Sequence, residues 1–371
     1  MKLVFWLSLL FIVLACAGYP IWLYFRAKLR SQPIRRENIY PYVTIVLAVR
    51  NEQNRLPAKL QNLAMLDYPA ERVEVIVVSD GSTDDTNRIL AGWQAGNRQA
   101  VILPEHRGKD VALNRGVAEA RGEIVVFTDA RQIIAPDALK ELVANFADPS
   151  VGCVSGELVI ADQLAAVSSQ GVGLYWRMEK KIRYWESLSG STVGATGAFY
   201  AVRRSLIAPL PEGTILDDVY IPLQVVQQGF RVVFEPRAIA TDDLTPGPRQ
   251  EFRRKVRTLT GNYQLLRLSP WLLTRENPVR FEFVCHKLLR LLMPFALVSL
   301  FVASLLLKEP PYRIALAFEL IFAGLAALAM LGPKPGVLSR LANVSLAFLV
   351  LNTAAAVAFF YFISRKKQIW V

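Results

Sequence analysis

Two adjacent acids, Asp217 and Asp218, stand inside an otherwise apolar stretch, Ile215–Val219. Aspartate is rarely placed there without a partner or a task. Two carboxylates held close together push their pKa values apart, which makes one of them a natural general base. The same pair can cap a helix over Val219–Gln228, and the two roles are compatible. Three further polar groups end β-branched runs: Arg50-Asn51-Glu52, Asp80 and Asp129. Asp80 can serve as a turn residue or cap for a helix beginning near Asp84, or accept from a bound base or ribose. Two such acids on neighbouring strands favour a nucleotide. The segment Arg107-Gly108-Lys109-Asp110-Val111-Ala112-Leu113-Asn114 adds a glycine that permits close backbone approach and a lysine ahead of a helix start. That is a favourable place for phosphate, although it also suits a solvated loop lysine.

These residues need elements to position them. Val43–Val49, Val73–Ser79, Ala100–Leu103 and Glu123–Thr128 read as strands. Leu56–Met65, Thr83–Ala95 and Asp110–Ala120 read as helices between them. Strand and helix in alternation predict an α/β domain with a mostly parallel sheet covered on both faces. Ligands of such sheets bind at the carboxyl ends of the strands, where the polar residues above lie.

Of 371 residues, 53% are apolar and 20% charged. The apolar excess sits at the two ends, which excludes a fully soluble, disordered or disulfide-framed protein. Leu3–Phe25 is long enough to cross a bilayer and is expected to be an uncleaved anchor (domain 1–27). Spans are expected near 289–307, 314–332 and 342–363, with breaks at Pro310, Pro311, Pro333 and Pro335, in a C-terminal block 289–365. A sheet domain over 40–265 and an interfacial segment over 266–288 lie between. The net charge is +12. The basic residues crowd the apolar segments, as in Arg26, Lys28, Arg30, Arg35 and Arg36, which fits an anionic leaflet and not nucleic acid. That cluster predicts a cytoplasmic central domain. Four crossings would then leave Arg365, Lys366 and Lys367 outside, against the positive-inside rule, unless one C-terminal segment does not cross. Three scattered cysteines and two histidines are too few for a metal cluster or an imidazole-built zinc site.

In order, Ala48–Glu52, Asp80–Asp84, Gly108-Lys109 with Ala112–Asn114, Asp129, Gly197–Arg203, Asp217-Asp218 and the basic stretch Phe252–Gly261 resemble the membrane-embedded family 2 glycosyltransferases, which include cellulose, hyaluronan and poly-N-acetylglucosamine synthases. The resemblance implies a GT-A (Rossmann-like) fold flanked by transmembrane helices. It also implies inverting transfer from a nucleotide-sugar donor, most often UDP-linked, to a glycan or lipid-linked acceptor, in a membrane such as the bacterial inner membrane. By resemblance, Asp80 holds the uracil, Arg50, Asn51 and Glu52 line its pocket, and Lys109 lies near the diphosphate. Asp129 is the first acid of the D-x-D motif and a ligand of Mg²⁺ or Mn²⁺. Asp218 is the base, with Gly197 and Asp217 beside the acceptor. Two positions depart from the pattern. The second D-x-D acid is Arg131, which either contacts the diphosphate in place of a metal or swings away. The Q-x-x-R-W segment reads Arg254-Lys255-Val256-Arg257-Thr258, keeping Arg257 and losing the tryptophan, so a different acceptor or short product is expected. A phosphate acceptor, needing no base, and a non-catalytic sugar-binding subunit are the alternatives. Tyr175, Trp176, Tyr184 and Trp185, among basic residues, suggest either a membrane-surface helix or a stripe packed on the domain.

Overall fold

The computed structural model describes residues 1–160, 170–242, 248–331 and 336–364. Arg365, Lys366, Lys367, Pro333 and Pro335 lie outside the described residues, as do the side chains of Tyr175 and Trp176. An N-terminal helix α1 (Lys2–Leu29) leads into the sheet domain. There β1 (Val43–Val49), α2 (Leu56–Ala64), β2 (Val73–Asp80), α3 (Thr86–Trp93), β3 (Arg98–Leu103), α4 (Lys109–Glu119) and β4 (Ile124–Thr128) follow one another as expected. Then come β5 (Ile133–Ile134), α5 (Ala138–Val143), β6 (Val151–Ile160), α6 (Gln170–Ser189), β7 (Phe199–Arg203), α7 (Asp217–Gln227) and β8 (Arg231–Asp242).

The eight strands form one sheet in the order β3-β2-β1-β4-β7-β6-β8-β5. The first four are parallel, because each right-handed crossover through a helix returns the chain in the same direction. β7 runs antiparallel to both β4 and β6. Order therefore reverses at β1, between β2 and β4, and the ends of these strands converge on a crevice. One core packs α2 and α5 under the sheet, around Leu47, Leu60 and Leu139. The other packs α4 and α7 above it, around Val46, Leu113 and Val225. α4 lies close because Gly116 has no side chain: a Cβ there would stand 2.5 Å from Val46 Cγ1.

An amphipathic helix α8 (Pro248–Leu268) follows the sheet. Three more helices close the described chain: α9 (Arg280–Leu306), α10 (Pro310–Met330) and α11 (Val337–Ile363). With α1 these make four helices long and apolar enough to cross a membrane, at 1.5 Å of rise per residue. Their outer faces expose Leu7, Val298, Phe318 and Phe360. Lys2 pairs with Glu309 at 2.6 Å, so the start of α1 and the α9–α10 turn share the far end of the bundle. α11 runs beside α8, with the rings of Phe359 and Phe362 5.7 and 5.6 Å from that of Tyr263.

The helix carrying the second span begins at Arg280, inside the stretch 266–288 expected to be interfacial. Glu282, His286 and Lys287 interrupt its hydropathy. Burial against partners allows two of these to continue the helix: Glu282 takes Arg26 and His286 takes two glutamates. Trp185 packs edge-on against Tyr24 of α1 at 5.4 Å, which fits a stripe packed between helices for that residue.

Candidate active site

α4 organises the crevice. Gly108, at φ +113°, turns the chain into the helix, and Lys109 occupies its first position. The Lys109 ammonium lies 3.0 Å from Asp129 Oδ1 and 3.2 Å from Asp217 Oδ1. Farther along the same helix, Asp110 Oδ2 accepts from Gly213 N at 2.8 Å. The Asn114 amide exchanges two 2.8 Å bonds with the backbone of Leu210. The Lys-Asp-x-x-x-Asn spacing thus does two jobs. It presents a cation to the end of β4 and fastens the segment that delivers Asp217 and Asp218.

Both acids sit in the first turn of α7, so the capping and base readings fall on the same residues. Asp218 Oδ2 accepts from Gly197 N at 3.1 Å. A Cβ on Gly197 would stand 2.9 Å from that oxygen, so the residue must be small for the base to sit there. Burial and the neighbouring Asp217 push the Asp218 carboxyl up to about 6, against the pull of Lys109, Lys287 and Arg183. Asp129 goes the other way. Burial opposes its charge, but Lys109, Arg131 and Lys59 outweigh that and hold it below the usual carboxylate range. Lys109 is half-buried, and Asp129 and Asp217 outweigh the desolvation to raise its pKa. The site therefore holds one carboxylate firmly ionised and one poised near neutrality, the split that acid–base chemistry requires.

Asp80 organises the loop that precedes Lys109. Its carboxylate accepts from Arg107 N at 2.7 Å, Gly108 N at 3.0 Å and His106 Nδ1 at 2.7 Å. These bonds occupy the group expected to face a base. Gly81, at φ +58°, lies against the same loop: a Cβ would be 2.2 Å from His106 N. Gly81→Ala is expected to cost about 1–3 kcal/mol, read as a lowered Tm of the purified protein; an unchanged Tm would show that the loop yields freely.

Asn51, at φ +53°, accepts from Thr83 N at 2.8 Å, and Glu52 N donates to Thr86 Oγ1 at 2.9 Å. These bonds zip the loop after β1 to the loop after β2. Arg50 is exposed at the crevice end of β1. Arg131 pairs with Asp242 at the end of β8, 3.1 Å away. Arg254 pairs with Glu251 of its own helix at 2.8 Å, and Arg257 lies one turn on. Sequence reasoning did not single out Lys59, which is fully buried. Its ammonium donates to Thr128 Oγ1 at 2.9 Å and to Gln132 O at 2.8 Å, bracketing Asp129 from behind. Burial lowers its pKa to about 7. The available signal was a lysine on the apolar face of α2, between Leu56 and Leu63. A crease of about 490 Å³ between α2 and α3, lined by Leu60, Ile89 and Trp93, contains none of these residues.

Residues 44–210, from β1 to the Leu210 anchor, match the family described as Glycosyl transferase family 2. That stretch of the chain is thus similar to the family 2 glycosyltransferases. A poly-beta-1,6-N-acetyl-D-glucosamine synthase of Staphylococcus aureus is 26% identical over 255 residues, covering 66% of this chain and 61% of that protein. A beta-monoglucosyldiacylglycerol synthase of Synechocystis is 29% identical over 194 residues, 50% of this chain and 40% of that protein. The chain spans under two thirds of those relatives' lengths. A mannosyltransferase from Pyrobaculum calidifontis, solved with GDP-Man and Mn²⁺, superposes with a TM-score of 0.75 at 24% identity, covering 98% of this chain and 99% of that one. The fold of the sheet domain and of the helices flanking it is thereby shared with a solved structure.

Proposed function

We propose that this chain is a membrane-bound inverting glycosyltransferase that moves a sugar from a nucleoside-diphosphate donor to a hydroxyl acceptor on a glycan or lipid-linked molecule. The observation that carries the reading is Asp218: half-buried, held by Gly197 N, and pushed to about 6 across from Lys109. As the acceptor oxygen bonds to the anomeric carbon, its proton passes to the Asp218 carboxylate. The bond from that carbon to the diphosphate oxygen breaks with both its electrons. One displacement inverts the centre. Lys109 lies where the departing negative charge is stabilised. A phosphate acceptor would arrive ionised and need no base, so a carboxyl tuned towards neutrality favours a hydroxyl.

Among the described residues, no three His, Cys, Asp or Glu side chains gather into a cage for an ion. Asp129 supplies a single carboxylate. One carboxylate plus a ligand's phosphate oxygens and water is a common way to hold Mg²⁺. These residues therefore fit a divalent cation that arrives with the nucleotide, which would neutralise diphosphate charge. The cation in the mannosyltransferase complex agrees with this. The basic cluster after α1 favours a cytoplasmic sheet domain, as in a bacterial inner membrane, and opposite ends of α1 meeting the domain and the α9–α10 turn are consistent with it.

The test is nucleotide release from UDP- and GDP-sugars by purified protein, with Mg²⁺, Mn²⁺ or EDTA. We expect one donor to be turned over and EDTA to reduce its turnover at least about tenfold, as loss of several kcal/mol of charge stabilisation requires. Turnover undiminished by EDTA would leave the leaving group to Lys109 and Arg131. Binding of every donor without release, even with acceptor lipids present, would favour a non-catalytic subunit.

A further inference from the structure

Beside Asp218 the structure gathers charged groups from α6 and α9. α6 contributes Glu179, Arg183 and Glu186; α9 contributes His286, Lys287 and Arg290. His286 is buried, its ring nitrogens 2.7 Å from Glu186 Oε1 and 2.9 Å from Glu179 Oε1. Arg290 reaches Glu179 Oε2 at 2.7 Å, and Arg183 lies 3.5 Å from Glu179 Oε1. With Tyr19 on Glu186, two carboxylates thus serve four side chains, and Lys287 is left over. It is half-buried, and among the described residues it makes no ion pair or hydrogen bond. An ammonium withdrawn from water without a partner is costly, and a ligand anion would remove that cost. Lys287 also falls in a π-helical turn, Val284–Leu288, a deformation that recurs at functional positions.

The cluster is joined to the site by geometry. The Arg183 guanidinium donates to Thr196 Oγ1. Thr196 precedes Gly197, whose N–H holds Asp218. The charges of Arg183 and Lys287 also act on the Asp218 carboxyl. A base tuned for a hydroxyl therefore stands beside two cations that the hydroxyl does not need.

We propose that Arg183 and Lys287 bind a phosphate-class anion carried by the acceptor, close to the hydroxyl that Asp218 deprotonates. This rests on the transferase reading above. The anion can belong to a lipid headgroup at the membrane surface or to a free phosphate ester.

The test uses the full-length protein in detergent and three probes of one backbone: dihexanoylphosphatidylglycerol, neutral dihexanoylglycerol, and glycerol 3-phosphate. Binding is measured by calorimetry, beside binding of the nucleotide sugar. At least one charged probe is expected to bind about tenfold more tightly than the neutral one, the size of one charge-assisted hydrogen bond. Preference for the lipid places the source in the membrane; preference for the ester places it in solution. Lys287→Met and Arg183→Gln should each remove the preference, and Lys287→Arg should restore it, which separates lost charge from lost folding. Equal binding of charged and neutral probes, or a preference that survives both substitutions, overturns the proposal. A protein that keeps the charge preference but binds no nucleotide sugar overturns the transferase reading instead.

Discussion

Replacing Asp218 with asparagine is expected to lower the rate of sugar transfer by about 10²–10⁴-fold, the usual contribution of a positioned general base. The substitution is close to isosteric. The asparagine carbonyl can still accept from Gly197 N, now 3.1 Å from Asp218 Oδ2, so the loop and the donor site should survive. Donor binding is therefore the internal control. The wild-type pH–rate profile should show the same chemistry. A base must be deprotonated to act, so transfer is expected to rise with pH through about 6 and to fall away below it. In the asparagine variant this rising limb should disappear from whatever rate remains. Full activity in the variant, with the limb intact, would remove Asp218 from the mechanism and restore the phosphate-acceptor alternative.

The second large effect is expected at Lys109. Lys109→Met removes the cation between Asp129 and Asp217, 3.0 and 3.2 Å from their oxygens. Two consequences should separate. The leaving diphosphate loses a fixed positive charge, which lowers kcat by about 10²–10³-fold. The Asp129 carboxyl loses the group that holds it below its ordinary range and rises, so donor affinity weakens further as pH falls. Lys109→Arg keeps the charge with a bulkier head and should recover part of kcat. Steady-state kinetics on both variants, with Tm measured alongside, distinguishes lost chemistry from lost fold. A methionine variant with wild-type kcat would show that this lysine is only a strut.

The sheet was legible where parallel strands are buried on both faces. Such strands read as short β-branched runs that end abruptly in polar residues, and Asp80 and Asp129 sit at those ends. The later half was less legible. β8 carries Glu235, Arg237 and Asp242, whose charges break any run, and they are tolerated because partners from distant segments meet them, as Arg131 meets Asp242. The Asp80 side chain illustrates a different limit. Its position at a strand end was readable, but its partners come from 26 to 28 residues away, and only folding shows them filling its carboxylate. Lys59 was missed because it lies among apolar neighbours, where a charge reads as an interruption and not as a contact; Lys287 was missed because the glutamates near it come from α6, about 100 residues away.

The joints between the helices and the sheet domain bear on how the chain can be divided. Tyr19 of α1 donates to Glu186 at 2.6 Å, and Arg26 reaches Ser189 O at 3.3 Å and pairs with Glu282. Gln32 N donates to Leu188 O at 2.7 Å. His286 of α9 closes the same knot on Glu179 and Glu186. Cutting the chain at its hydropathy boundaries, near residues 27 and 289, would remove some of these partners from one side or the other and strand carboxylates that are buried in the whole. Breaking a buried pair in this way costs about 3–5 kcal/mol, comparable to the entire margin of many domains. The apolar helices are therefore not a tether attached to an independent enzyme. Anchor and sheet are expected to unfold together, and a piece cut at those boundaries is expected to lose the stability that these joints supply.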